Sequence, residues 1–142
     1  MNVKREETIL SKMRSKLETI NSVIVLRTDF APIGDYRQIS FGLRKLIAEK
    51  KLIRVGYGLY AKAYEARYDG RPLIQGDSDA ALRETLTRLR VKWEPGSAEQ
   101  AYNRGESTQV PVRNIVKLKT RCRRHIHFGK AELVFEGKVN AR

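Results

Sequence analysis

Apolar residues recur at helical spacing in two segments of the first fifty positions. Between residues 4 and 20 they fall every three or four positions, which predicts an amphipathic helix with one buried stripe. A second pattern predicts a long helix that Asp35 caps and that ends near Lys51. Its expected core-facing side chains are Tyr36, Ile39, Leu43, Leu46 and Ile47. A brief helical turn at 28–30, limited by Pro32 and Gly34, is expected between the two.

Short β-branched and aromatic runs predict the strands of the first half. One strand is expected at 23–26, and two more at 52–55 and 58–61 are joined around Gly56 and Tyr57 in a tight turn. Helix, short helix, long helix and hairpin is the order of elements in a winged helix-turn-helix. We therefore predict an α+β protein whose residues 1–62 form a winged helix-turn-helix domain.

The second half has a different pattern. Residues 63–77 are polar and rich in turn residues, which predicts a linker. A helix is expected from 77 or 78 to about 90, a strand at 91–93, and a short helix opened by a Ser97–Gln100 capping box and ended by Gly105. Alternation at 116–119 and 125–128, with a tight turn at 129–130 leading into 133–136, predicts antiparallel strands. Residues 78–142 are thus expected to form a small basic domain of helix plus antiparallel strands.

The charge balance narrows the choice of partners. The chain of 142 residues has 29 Lys and Arg against 16 Asp and Glu, a net charge of +13 and a pI near 10.2. Such an excess favours polyanions, of which double-stranded DNA is the leading candidate. We expect a cytoplasmic protein without membrane contact, because no apolar run approaches the roughly 18 residues of a span and the first 20 residues lack a signal core. Cys122 is the single cysteine, and we expect neither a cofactor nor a metal.

The side of the long helix opposite its apolar stripe carries the chemistry of base recognition. In the major groove Arg pairs with guanine, Gln with adenine, and an apolar ring touches a thymine methyl. We predict that this face reads DNA, the alternative being a solvated basic face with Phe41 buried elsewhere or in a dimer. The predicted recognition residues are Arg37, Gln38, Phe41, Arg44 and Lys45.

Two further sets of residues are candidate contacts to nucleic acid. Arg54, Tyr57 and Lys62 flank the predicted wing, where contacts to the backbone or minor groove are usual. The stretch from 113 to 130 contains seven cations and no carboxylate, and would bind phosphates or an acidic partner, or form a solvated sheet face. Its cations are Arg113, Lys117, Lys119, Arg121, Arg123, Arg124 and Lys130.

Two weaker patterns are candidates for metal chemistry. His125 and His127 would share one strand face, but no further ligands stand at clear spacing. Glu136, Gly137 and Lys138 form a carboxylate-x-lysine triplet of the kind that some magnesium-dependent nucleases use, with Asp77 and Asp79 upstream as candidate ligands. Chance explains the triplet equally well, and we expect the protein not to be an enzyme.

Two longer segments resemble a known family. The first is ThrAspPhe at 28–30 with LeuArgLysLeuIleAlaGluLysLysLeuIleArgValGlyTyrGlyLeuTyr at 43–60. The second is GluProGlySerAlaGluGlnAlaTyrAsn at 94–103 with SerThrGlnValPro at 107–111. Both are similar to AbiEi-type antitoxins of type IV toxin/antitoxin systems and their short winged-helix relatives. The resemblance implies operator binding, often at inverted repeats, and a second half that neutralises a cognate toxin or supports DNA contact.

Together these patterns predict a sequence-specific DNA-binding transcriptional regulator, antitoxin-like, that represses its own operon. One alternative is a module that neutralises a toxin and binds DNA weakly, and a more remote one is the nuclease. RNA also fits the charge, but no RNA-module signature is present. The oligomeric state stays open, a dimer on DNA being one option.

Overall fold

The computed structural model describes residues 3–137, with side chains from residue 7 onward, and has an α+β architecture. Four α-helices, one 3₁₀ helix and eight strands make up the described part. The helices are α1 Val3–Thr19, the 3₁₀ helix Arg27–Ile33, α2 Tyr36–Ala48, α3 Ser78–Arg88 and α4 Ser97–Asn103. The strands are β1 Ile24–Leu26, β2 Leu52–Gly56, β3 Leu59–Glu65, β4 Pro72–Ile74, β5 Trp93–Pro95, β6 Asn114–Leu118, β7 His127–Phe128 and β8 Ala131–Phe135.

The first sheet is built around β3, which pairs antiparallel with β1, β2 and β4. Lys62 joins two of these partners, because its amide donates to Val23 O at 2.7 Å and its carbonyl accepts from Gln75 N at 3.0 Å. Strands β1 and β4 therefore pair with the same side of β3, one after the other along its length. The predicted linker at 63–77 is wrong in its secondary structure, since it holds the end of β3, a hairpin turn and β4.

The two faces of the first sheet contact different layers. Val25, Leu52 and Tyr60 point toward α1, the 3₁₀ helix and α2, where they share one buried cluster with residues such as Met13 and Phe30. The alternate residues of the same strands belong to a second cluster that includes side chains of α3 and of the second sheet. A single cluster thus contains residues from both sides of the predicted boundary at 62.

Helix α2 begins as the sequence predicts. The Asp35 carboxylate accepts from Gln38 N at 2.8 Å, and the Gln38 side-chain oxygen accepts from Asp35 N at 2.9 Å, which forms a reciprocal cap. The predicted core position of Tyr36 is wrong, because this side chain is 73% exposed at the first turn of α2. Ile47 was also expected in the core and is 39% exposed.

The second sheet has the order β5-β6-β8-β7. The prediction of antiparallel strands is wrong for its centre, where β6 and β8 run parallel from the pair Asn114–Leu133 to the pair Val116–Phe135. The capping box predicted at Ser97 is also wrong: Gly96 is the N-cap of α4. A Cβ atom at Gly96 would lie 3.0 Å from Ile115 O, so a glycine allows β5 and β6 to meet closely there.

Polar contacts join α3 to the first half of the chain. Asp29, in the 3₁₀ helix, accepts from Leu26 N at 2.9 Å and pairs with Arg88 of α3. Ser22 donates to Glu84 of α3 at 2.8 Å. Residues of both predicted domains are therefore in direct polar contact, at the 3₁₀ helix and just before β1. None of the helices within residues 3–137 combines the length and apolar character of a membrane span.

Candidate nucleic-acid interface

The outward face of α2 presents three of the five predicted recognition residues to solvent. Arg37, Arg44 and Lys45 are exposed, whereas Phe41 is only partly so. The ammonium of Lys45 lies 5.6 Å from the centroid of the Phe41 ring. At 100° per residue, Arg37 and Arg44 lie two turns apart on α2, and their directions differ by only about 20°. They form the cationic centre of this face.

Gln38 has a structural role at the start of α2. Its side-chain oxygen accepts the Asp35 amide, so the acceptor that adenine recognition requires is engaged within the protein. The side chain is partly buried. A bidentate contact from Gln38 to a base would first require this cap to open.

Arg27 joins the first turn of α2 to the turn between β2 and β3. One guanidinium nitrogen donates to Tyr36 O at 2.7 Å and to Ser40 Oγ at 2.8 Å. The backbone amide of Arg27 donates to Gly58 O at 3.1 Å. The β2–β3 turn is thereby fixed beside the N-terminal end of α2.

The β2–β3 turn carries an exposed aromatic and a cation. Tyr57 is 76% exposed, and the guanidinium of Arg54 lies 6.0 Å from the centroid of its ring. Arg124, from the segment before β7, donates to Tyr57 O at 2.8 Å. The third predicted wing residue lies outside the turn: Lys62 is in the middle of β3, where its ammonium donates to Ile20 O after helix α1.

The predicted cationic cluster at 113–130 divides into two groups. Lys117 lies 3.7 Å from Glu136 and Lys119 lies 3.5 Å from Glu94, so carboxylates offset both charges. Arg113 is exposed at the far end of β6, near α4. Arg121, Arg123 and Lys130 are exposed and form no ion pair within residues 7–137. Arg124 donates to the β2–β3 turn and His125 O lies against Gly56 of the same turn, so the segment that carries Arg121 and Arg123 reaches this turn.

The contact between the two halves at this turn depends on Gly56. A Cβ atom there would lie 2.9 Å from His125 O, a backbone atom. We expect Gly56→Ala to destabilise the protein by about 1–3 kcal/mol through overpacking and to separate residues 121–126 from the turn. Faster amide hydrogen exchange over 121–126 would be the signature.

Gly58→Ala is the matched control for this substitution. It lies in the same turn with a φ of 67° and nothing within 4 Å of an added Cβ. Backbone strain should lower its stability while exchange over 121–126 stays close to wild type. If Gly56→Ala also left that exchange unchanged, the contact would not hold the segment.

The candidate metal groups have other partners. The His125 and His127 rings lie 4.6 Å apart, His125 lies 3.4 Å from Glu132, and no group of three or more metal-binding side chains occurs among the described residues. Glu136 accepts from the amide and the hydroxyl of Ser97 at 2.8 and 2.9 Å, which lowers the pKa of its carboxyl. Lys138 of the predicted triplet lies outside the described residues.

Upstream, Asp77 caps α3 by accepting from Ala80 N at 3.1 Å. These contacts give structural roles to Asp77 and Glu136, two of the three carboxylates of the nuclease alternative; the third is Asp79.

Sequence patterns missed two residues of this surface. No pattern singles out Arg27, although it immediately precedes the ThrAspPhe segment, and helical periodicity predicts Tyr36 in the core. For Tyr36 a signal existed: the first helical residue lies directly after its cap, at the edge of the buried stripe. For Arg27 no local pattern reveals contacts that reach Ser40 and Gly58.

The fold and this surface define an α+β protein whose exposed arginines and tyrosines are brought together from α2, the β2–β3 turn and the segment before β7. A family model described as "Family of unknown function (DUF6088)" matches residues 8–140. The chain belongs to this family. No curated protein and no solved structure matches it significantly.

Proposed function

We propose that this protein is a sequence-specific, double-stranded DNA-binding regulator of the winged-helix type, antitoxin-like, that represses its own operon. In this proposal α2 is the groove-reading helix and the β2–β3 turn is the wing. The observation that carries it is one line of contacts from Tyr36 and Ser40, through Arg27, to Gly58 and Tyr57, and on to Arg124. Through these contacts Tyr36, Tyr57 and Arg124, which are exposed and distant in sequence, lie on one surface.

The arrangement suits a duplex for geometric reasons. An α-helix fits the major groove, and a turn held beside the N-terminal end of that helix can contact the neighbouring backbone or minor groove. Arg37 and Arg44 lie about 10 Å apart along α2, which is close to the rise of three base pairs. Arg54 and Tyr57 would then position the protein, while α2 reads the bases.

The exposed cations Arg121, Arg123 and Lys130 support phosphate contact, and the first two lie in the segment that reaches the wing through Arg124. Within residues 7–137 these cations have no carboxylate partner, in contrast to Lys117 and Lys119. Cations without a protein partner are available to replace the counterions of DNA, which is the main source of affinity that does not depend on sequence. Of the interpretations left open for residues 113–130, DNA contact is therefore favoured for 121–130.

A protein partner is the second candidate function, and a separate observation favours it. Val110 and Val112, in the segment between α4 and β6, are 64% and 93% exposed. Exposed apolar side chains of this kind are common where another protein docks. Co-purification of a neighbouring gene product, lost on changing both valines to Asp, would support toxin neutralisation.

Selection of bound duplexes from a random DNA pool tests the proposed function directly. We expect a consensus of several base pairs, and a palindromic one would show that two copies bind with twofold symmetry. Retention of random duplexes without enrichment of any sequence would contradict a sequence-specific regulator.

The salt dependence of binding tests the cationic segment. Changing Arg121 and Arg123 to Ala should weaken binding to every duplex and reduce the slope of log K against log salt by about 1.8, since each phosphate contact contributes about 0.9. Fluorescence anisotropy titrations over a range of salt concentrations measure this slope.

The control removes the same charge from the paired group, by changing Lys117 and Lys119 to Ala. Because Glu136 and Glu94 already offset those lysines, the slope should change much less. An unchanged slope in the Arg121 and Arg123 variant would place this segment away from DNA.

A further inference from the structure

The most exposed aromatic side chain of α2 is Tyr36. It is 73% exposed, whereas Phe41, the ring that the sequence predicts as the apolar contact to a base, is partly buried and lies beside Lys45. Tyr36 is the first residue of α2, and the N-terminal residues of a recognition helix are those that reach base edges. Position and exposure both single out Tyr36.

The Tyr36 ring is also held in place before any partner arrives. The guanidinium of Arg27 lies 3.9 Å from the ring centroid, and its nitrogen donates to the carbonyl of the same residue and to Ser40 Oγ. The backbone of Arg27 is bonded in turn to Gly58 of the β2–β3 turn. A ring already ordered by such contacts loses little further conformational entropy on binding.

We propose that Tyr36 is a specificity-determining residue that packs its ring against the 5-methyl group of a thymine, and that Arg27 is its positioning residue. The inference rests on the proposed function and names the base chemistry that α2 reads. Thymine is the base whose methyl group offers an apolar contact in the major groove. The stacked guanidinium fixes the angle at which the ring leaves α2, so the ring can meet a methyl group at one position of the site.

The experiment replaces each thymine of the selected duplex, one at a time, with deoxyuridine, which removes the methyl group and leaves the pairing intact. Wild-type protein should lose about fourfold in affinity at one or two positions, the effect of withdrawing one buried methyl group. Tyr36→Ala should bind the parent duplex more weakly and should lose this sensitivity at one of those positions. Tyr36→Phe, which keeps the ring, should retain it.

Three further variants separate this role from a structural one. Arg27→Lys keeps the charge but not the planar fork, so the methyl effect should shrink while the salt slope stays constant. Phe41→Ala should leave the methyl effect at the Tyr36-dependent position. Tyr68→Ala removes a tyrosine that is 97% exposed on the β3–β4 hairpin, and should change neither affinity nor methyl sensitivity.

The outcomes separate this inference from the function on which it rests. A selected consensus with no methyl sensitivity, or methyl sensitivity that survives in Tyr36→Ala, would overturn the role of Tyr36 alone. Loss of the effect in Phe41→Ala but not in Tyr36→Ala would transfer the role to Phe41. A wild-type protein that selects no sequence would overturn the proposed function together with this inference.

Discussion

Changing Arg37 and Arg44 together to alanine is expected to weaken binding to the selected duplex by about 2–6 kcal/mol. Each good bidentate contact between arginine and guanine contributes about 1–3 kcal/mol of discrimination, and two contacts on different base pairs should approximately add. Both side chains are exposed on one side of α2, two helical turns apart. Competition titrations at fixed salt measure the loss on the selected duplex and on random DNA.

The ratio between those two losses is the informative quantity. Random DNA should lose much less, since only the electrostatic part of the two contacts operates there. Changing Lys12 and Lys16 of α1 to Ala removes the same charge from another exposed helical surface and is the matched control. Equal losses on both duplexes in the arginine variant would make Arg37 and Arg44 phosphate contacts, and α2 would then not be the reading helix.

Local pattern was sufficient to locate α2 and its cap, because both depend on residues within one or two turns. Asp35 caps α2 as predicted, and Ile39, Leu43 and Leu46 are buried as predicted. Tyr36 departs from the pattern because its ring packs under Arg27, a residue of the preceding 3₁₀ helix. Helical periodicity gives the direction of a side chain but not the extent of the layer that would cover it.

The segment from 63 to 77 shows how small residues conceal a strand. Ala61 and Ala63 are buried on the sheet face that contacts α3. Lys62 and Tyr64, which alternate with them along β3, are partly exposed. The period-two alternation is therefore present, but alanine and glycine make it resemble a polar linker. The chain reverses after Glu65 and forms β4, which pairs with β3. The turn residues indicated the reversal but not this pairing.

Long-range pairing is the part that sequence reasoning could not supply. The parallel alignment of β6 with β8 depends on contacts between residues about 20 positions apart, and alternation within each strand is the same for parallel and antiparallel neighbours. The candidate interface was affected in the same way. Lys62 has the right chemistry for DNA, yet its ammonium donates to Ile20 O, on a residue 42 positions earlier in the chain. Gln38 is engaged locally instead, by the cap of its own helix.

The second large effect expected is on stability, and it comes from Arg83 in α3. Its guanidinium donates to both carboxylate oxygens of Glu99 at 3.0 and 2.6 Å and to Asn114 Oδ1 at 2.6 Å, and lies 5.6 Å from the Trp93 ring centroid. Asn114 is buried and donates to Asp79 O at 3.0 Å. One side chain therefore joins α3, α4, β5 and β6.

Arg83→Ala should lower the free energy of unfolding by about 2–4 kcal/mol, because it leaves the Glu99 carboxylate and the buried Asn114 oxygen without their donor. For a chain of this size the midpoint of thermal unfolding should fall by roughly 5–15 °C. Arg104→Ala is the control. It also removes an arginine paired with a glutamate, Glu106, but both side chains are more than half exposed, so stability should hardly change.

The pH dependence gives an independent check on the same pair. The hydrogen bonds from Arg83 lower the pKa of Glu99 from its ordinary value of 4.5. A carboxyl whose pKa is lower in the folded state stabilises the protein fully above its unfolded pKa, and this contribution is lost as the pH falls through the folded value. The stability gap between wild type and Arg83→Ala should therefore narrow below about pH 4.5. A gap that stayed constant down to pH 3 would mean that Arg83 acts through packing on Trp93 and its bond to Asn114, with the charge of Glu99 contributing little.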